Sequence, residues 1–279
     1  MLRKLLKHEW KAVNKVMITV NLGIVLLTIL GSMILSTDTF DNEEAFPLAI
    51  LLTIFYSLSM ITFSTVTLIY IYIRFYKNLF TAEGYLMHTL PVTRTQLFHS
   101  KLIVGYFWIF LNSMLNILST AVLGFVAGLH FASREDMQDI FEDVSKEFLI
   151  KDYTFADIFG FPPLLLLLVI FLLMLTSCFG TLLMGYLSIL LGQLMEKYRL
   201  AASIGFYMAI YLINQIITSI AMLLPSGQLM IDAMDDTSIS FMGDLLRIMF
   251  PAGTAIQLAL GIVFYMICIF LLRRKVNLE

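Results

Sequence analysis

Six stretches of this chain carry no Asp, Glu, Lys or Arg: residues 16–37, 45–73, 102–133, 158–195, 200–231 and 248–272. Their lengths are 22, 29, 32, 38, 32 and 25 residues. About 18–20 apolar residues carry a helix across roughly 30 Å of hydrocarbon. Inside hydrocarbon the backbone must satisfy its own hydrogen bonds, so only helices and closed barrels can cross. A barrel needs strands of about ten residues with alternating polarity. Runs such as "FPPLLLLLVIFLLMLTSC" are apolar on every side, which excludes that pattern. The chain therefore reads as all-α, a polytopic membrane protein with six transmembrane helices. They are expected near 17–36, 47–73, 102–127, 162–192, 201–224 and 251–272, within a single transmembrane domain over 1–279. Composition agrees: 14% of residues are charged, against about a quarter in soluble domains. The basic start and following apolar run evoke a signal peptide. The run is about twenty residues long, however, and no A-x-A-like site follows, so it reads as an uncleaved first span.

Charge sorts by side. The N-terminal segment, the 74–101 loop, the 193–200 loop and the C-terminal tail hold 5, 4, 2 and 3 Lys or Arg, which is 14 of the 18. The alternate loops hold 0, 3 and 1. Basic excess marks the cytoplasmic face, so both termini are expected in the cytoplasm. Of the 20 acidic residues, 16 lie in the 37–46, 128–160 and 225–250 loops, which are then extracellular. An acidic outer face attracts cations or basic peptides, or simply solvates the loops.

Several pieces outside the spans have helical patterns of their own. In "MLRKLLKHEWKAVNK", Leu2, Leu5, Leu6, Trp10 and Val13 share one face and Lys4, Lys7, Lys11 and Lys15 the other. Residues 1–15 therefore read as an interfacial helix on the inner leaflet. "TLIYIYIRFYKNLF" continues the second helix beyond the membrane. "AEGYLMHTL" then offers a short amphipathic helix, stopped at Pro91 because proline breaks the backbone ladder. Thr93 is placed to cap the helix that leads into the third span. Tyr85, Leu86, Leu90 and Leu97 sit among charges, which suits either a docking surface or the lipid interface. On the other side, "SREDMQDIFEDVSKEFL" reads as a helix with a capping box at Ser133 and Asp136. "FMGDLLRIMF" is a further amphipathic piece before the sixth span.

The span cores hold no Asp, Glu, Lys, Arg or His, whereas proton- and ion-coupled carriers usually place such groups there. They do hold weaker polar groups. Asn112 and Asn116 lie four apart on the third helix, and Asn214 and Thr218 four apart on the fifth. Each pair shares a helix face and either lines a pathway or bonds helix to helix. Gly124 with Gly128, and Gly180 with Gly185, permit close helix approach. Cys178 and Cys268 lack metal or redox spacing and read as apolar packing residues. "HEW" is not a zinc motif, because position 12, where a second His is required, is Ala12. No G-x-S-x-G, paired span carboxylates or Walker A sequence occurs, so no catalytic, cofactor-binding or metal residues are assigned. Any use of ATP requires another polypeptide.

"FYKNLFTAEGYLMHTLPVTRTQLFHSKLI" resembles the cytoplasmic loop of ABC-2-type ABC transporter permease subunits of Gram-positive bacteria. "LSILLGQLMEKYRLAASIGFY", the basic "LLKHEWKA" start and the tail "RRKVNLE" are similar to the same group. The resemblance runs along the whole chain and is sharpest over Glu83 to Val92. It implies a permease subunit of a bacterial plasma-membrane exporter that pairs with a second permease, identical or related. Separate ABC ATP-binding subunits would hold ATP and Mg. It also implies that Glu83, Gly84, Tyr85, Leu86 and Leu90 form a coupling helix seated on the ATPase. The chain itself would bind no cofactor, hydrolyse nothing and meet membrane lipid but no nucleic acid. The 128–160 loop is longer than in minimal members of the family. Peptides (bacteriocin- or toxin-like, hence antimicrobial peptide transport), drugs and lipids all remain open as cargo. The alternative is an integral membrane binding or sensor protein without ATP coupling.

Overall fold

The computed structural model describes residues 2–36, 46–81, 93–132, 160–195, 197–232 and 240–274. Six helices account for nearly all of them: α1 (Leu2–Leu35), α2 (Phe46–Phe80), α3 (Arg94–Ala132), α4 (Pro163–Gly192), α5 (Arg199–Asp232) and α6 (Ser240–Arg274). All six are long and apolar enough to cross a membrane. No strand occurs among the described residues. The chain is an all-α, multi-pass membrane protein. Its large exposed side chains, from Leu30 and Phe55 to Phe125, Leu167 and Leu223, are those a lipid-facing surface requires.

The helices outrun the charge-free windows. α2 has 35 residues and α3 has 39. At 1.5 Å per residue these are about 52 and 58 Å long, well beyond the roughly 30 Å of hydrocarbon. The continuation of α2 past residue 73 matches its sequence pattern. α3 begins at Arg94, eight residues before its window, because helix formation does not stop where charge begins. Likewise α5 runs on to Asp232 and α6 starts at Ser240, so most of the stretch read as a 225–250 loop is helical. "FMGDLLRIMF" is the first part of α6, with Pro251 inside the helix rather than at its start.

The expected surface helix over 1–15 and the first span near 17–36 form one uninterrupted 34-residue helix. No Gly or Pro precedes Gly23 to break it. Its basic residues Arg3, Lys4, Lys7, Lys11 and Lys15 are exposed, while Glu9, Val13, Met17, Asn21 and Ile24 form a buried stripe at helical spacing. The outer helix read over 133–149, with its cap at Ser133, lies outside the described residues.

Packing groups the chain into two compact units, and the division falls within α1, α2 and α3. One unit contains α1 from Lys7, α2 up to Tyr70 and α3 from Phe107. The other contains α1 up to Leu6, α2 from Ile71, α3 up to Tyr106, and α4, α5 and α6. In the second unit the end of α4 packs closely against the start of α5. A Cβ on Gly192 would lie 2.7 Å from the backbone N and 2.8 Å from the Cα of Ser203. Only a residue without a side chain allows that approach.

Candidate functional site

The connection between α2 and α3 carries the sharpest sequence signal. Its central residues Glu83, Gly84, Tyr85, Leu86 and Leu90 lie outside the described residues. Both flanks are described, and they are unusually well anchored.

Thr93 caps α3. The Gln96 N–H donates to Thr93 Oγ1 at 3.3 Å, and the Thr93 N–H donates to Gln96 Oε1 at 3.4 Å. This reciprocal pair is a capping box, and it fixes where the helix starts. One turn later Leu97 and Phe98 are buried. Arriving from the other side, α2 buries Ile71, Phe75 and Leu79, spaced four apart on one face. Phe75 stacks flat on Tyr186 of α4, with centroids 3.8 Å apart and an interplanar angle of 12°. Phe98 meets both rings edge-on at 6.2 and 6.0 Å. His99 Nε2 and the Tyr265 hydroxyl of α6 share a hydrogen bond of 2.8 Å. Thus the end of α2, the start of α3 and the ends of α4 and α6 meet in one aromatic cluster. The flanking turns of the connection are part of that core.

Tyr72 extends the cluster. Its hydroxyl donates to the Thr181 carbonyl at 2.7 Å. Its ring fills the space that a side chain on Gly185 would occupy, since a Cβ there would lie 2.1 Å from the ring. Tyr72 also contacts Tyr186 and Tyr207 at centroid distances of 6.3 and 6.2 Å. The close approach expected at Gly185 is therefore present, and the guest is an aromatic ring. Gly180 faces Gln257, whose Oε1 lies 3.3 Å from where its Cβ would be. Gly124 and Gly128 have no atom within 4 Å of such a position, so the closeness expected there is not used among the described residues.

The other unit contains a polar ladder. Asn21 Nδ2 donates to the Met17 carbonyl at 2.8 Å, and Asn112 Nδ2 donates to Asn21 Oδ1 at 3.2 Å. Asn116 Nδ2 donates to the Asn112 carbonyl at 2.8 Å, and lies 3.2 Å from Asn112 Oδ1 and 3.3 Å from Ser64 Oγ. Further along, the Ser119 hydroxyl meets those of Thr28 and, at 2.5 Å, Tyr56. These contacts tie α1, α2 and α3 together at successive levels. The amides of Asn112 and Asn116 are thus occupied in joining helices, which is what such groups commonly do in hydrocarbon. Asn214 and Thr218 belong to the first-described cluster's unit and are half-buried on α5. The Thr218 hydroxyl has no hydrogen-bond partner among the described residues.

Sequence reading missed the aromatic cluster, Lys101 and Glu9. Lys101 is 2% exposed, and its carbonyl accepts a 3.2 Å bond from the Tyr186 hydroxyl. The signal was present in the aromatic density of "YIYIRFY", where Tyr72 and Phe75, three apart on one helix face, both reach the cluster. Cys178 and Cys268 are buried free thiols, as packing residues would be. Among the described residues no three His, Cys, Asp or Glu side chains come together as a metal site requires. Comparison with protein-family models, with curated proteins and with solved structures returned no match.

Proposed function

We propose that this protein is the membrane-spanning permease subunit of an ATP-driven exporter of the ABC-2 type. In this reading both termini face the cytoplasm of a bacterium, and a separate ATP-binding chain docks on the 82–92 segment. The cargo is a peptide, drug or lipid-like molecule moved outward. The chain has no phosphate-cradling loop of its own, so ATP and Mg stay on the partner.

One observation carries the reading: the anchoring of α2 and α3 on either side of the 82–92 segment. Both helices exceed the length needed to cross hydrocarbon. Their ends are bound to α4 and α6 through Phe75, Phe98, His99, Tyr186 and Tyr265. A close-packed aromatic core transmits displacement rather than absorbing it. A push on the segment from a docked partner therefore reaches α4 and α6 directly. A connection serving only to join two spans needs no such anchorage. The test is affinity purification of the tagged full chain from its native membrane. A copurifying Walker A protein, with ATP hydrolysis by the complex, is the expected result. A chain that purifies without any ATP-hydrolysing partner, from membranes where it is functional, overturns the reading.

A further inference from the structure

One face of α1 changes chemistry along its length without changing direction. Lys7, Lys11 and Lys15 are followed, at the same spacing of three or four residues, by Ile18, Leu22 and Val25, and all six are exposed. That spacing keeps them in one column of an uninterrupted helix. All six belong to one compact unit. The face that meets acyl chains higher in the helix is therefore the face that carries the lysines. The charge-free run from Val16 to Leu35 has 20 residues, about 30 Å of helix and the depth of the hydrocarbon. Lys15 then stands at the hydrocarbon edge. Lys11 lies about 6 Å beyond it, inside a headgroup layer about 5–8 Å thick. Lys7, one turn further out, is within a Debye length of the phosphates. A helix lying flat would spread these lysines along the membrane. The continuous α1 stacks them over one patch of lipid instead.

The described protein does not neutralise this column. Glu9 is the only acidic residue before Asp38, and it is buried on another face of the helix. No ion pair or hydrogen bond joins Lys7, Lys11 or Lys15 to a described residue. Beside the column Trp10 is exposed and packs on the exposed ring of Phe107, with centroids 4.7 Å apart. Such rings settle at the level of the headgroups. A lysine on an ordinary solvated face needs only water. Here the alkyl stems rise from the face on which the acyl chains pack, so the ammonium groups reach the phosphates of those same lipids.

We propose that the Lys7–Lys11–Lys15 column of α1 is a binding site for anionic phospholipid headgroups, and that it holds phosphatidylglycerol-like lipids against this face in preference to zwitterionic ones. A zwitterionic headgroup brings its own ammonium to its phosphate and gains less from the lysines. Membrane immersion alone underlies the site, which stands whether or not the transport reading does.

Tryptophan quenching in vesicles tests it. The chain has two tryptophans. Trp10 reports from the site, and the Trp10→Phe chain supplies the background from buried Trp108. The full chain is reconstituted into equimolar phosphatidylglycerol and phosphatidylcholine, with bromine near the head of the acyl chain in one lipid or the other. Quenching of Trp10 should show phosphatidylglycerol enriched roughly five- to thirtyfold over phosphatidylcholine. The Lys7→Gln, Lys11→Gln, Lys15→Gln variant should bring that ratio close to one. The corresponding triple arginine variant and Lys197→Gln should keep it. In the native chain 1 M salt should also collapse it, because screening then acts within about 3 Å. Equal quenching by the two brominated lipids in the native chain overturns the site. So does a preference that survives both the triple glutamine variant and high salt. Loss of the preference on adding soluble glycerol phosphate overturns the lipid assignment in favour of a free phosphate ligand.

Discussion

Phe75 lies flat on Tyr186, with ring centroids 3.8 Å apart and planes 12° from parallel. The pair joins the last turns of α2 to the end of α4, and both side chains are nearly inaccessible to solvent. Phe75→Ala should cost about 3–5 kcal/mol, the usual penalty for emptying a well-packed aromatic site. Tyr186→Phe keeps the stack and removes the hydroxyl with its bond to the Lys101 carbonyl, for about 0.5–1.5 kcal/mol. Denaturation of the purified protein in detergent separates the two. Equal losses would show that the hydroxyl, and not the stacked ring, holds the helices.

Gly185→Ala places a methyl group where the Tyr72 ring sits. Overpacking of this kind costs about 1–3 kcal/mol. Gly124→Ala and Gly128→Ala meet open space and should be neutral or slightly stabilising, since alanine favours helix. Thermal unfolding of the three variants side by side checks the ranking.

Asn112→Ala removes the bond to Asn21 and also disturbs Asn116. A loss of about 0.6–2 kcal/mol is expected, the range for polar contacts between membrane helices. The double change Asn21→Ala with Asn112→Ala should cost less than the sum of the singles, because the two share one bond. Additive losses would mean the pair is not coupled.

How much of this was legible in the sequence depends on what kind of signal each residue leaves. The six spans were visible because apolar runs of 22 residues or more have no other stable home. The cap at Thr93 was visible from its local chemistry. Helix ends were less so. The window for the third span stops at Lys101, yet that lysine is buried inside α3, because a charged side chain ends a hydropathy window without ending a helix. The junction near Lys15 was read as a boundary for the same reason. Asn112 and Asn116 were recognised as a pair, but their partners Asn21 and Ser64 are 91 and 52 residues away, and no local pattern gives such pairings. The Phe75–Phe98–Tyr186–Tyr265 cluster was missed on that account too. The coupling residues Glu83 to Leu90 rest on the resemblance of their sequence alone.

The proposed orientation rests on the distribution of basic residues alone. Lys197 and Asp244 flank α5 on either side along the chain and are both exposed. In intact cells an impermeant maleimide should label Asp244→Cys, and should label Lys197→Cys only after permeabilisation. The reverse pattern would turn the protein over in the membrane and place the 82–92 segment outside, out of reach of any ATPase.

The most direct test of the coupling role is the association of an ATP-binding partner with a chain altered at Tyr85 and Leu86. The Tyr85→Asp, Leu86→Asp double variant puts two charges where apolar contact is expected, at several kcal/mol if they are buried unpaired. No span is touched, so the membrane domain should fold and insert as the native chain does. Gln138→Ala, in the loop assigned to the outside, is the control. Copurified ATPase and transport-linked ATP turnover should fall together in the double variant and stay at native levels in the control. Full association with full turnover in the double variant would contradict the coupling role and leave the segment a simple connector.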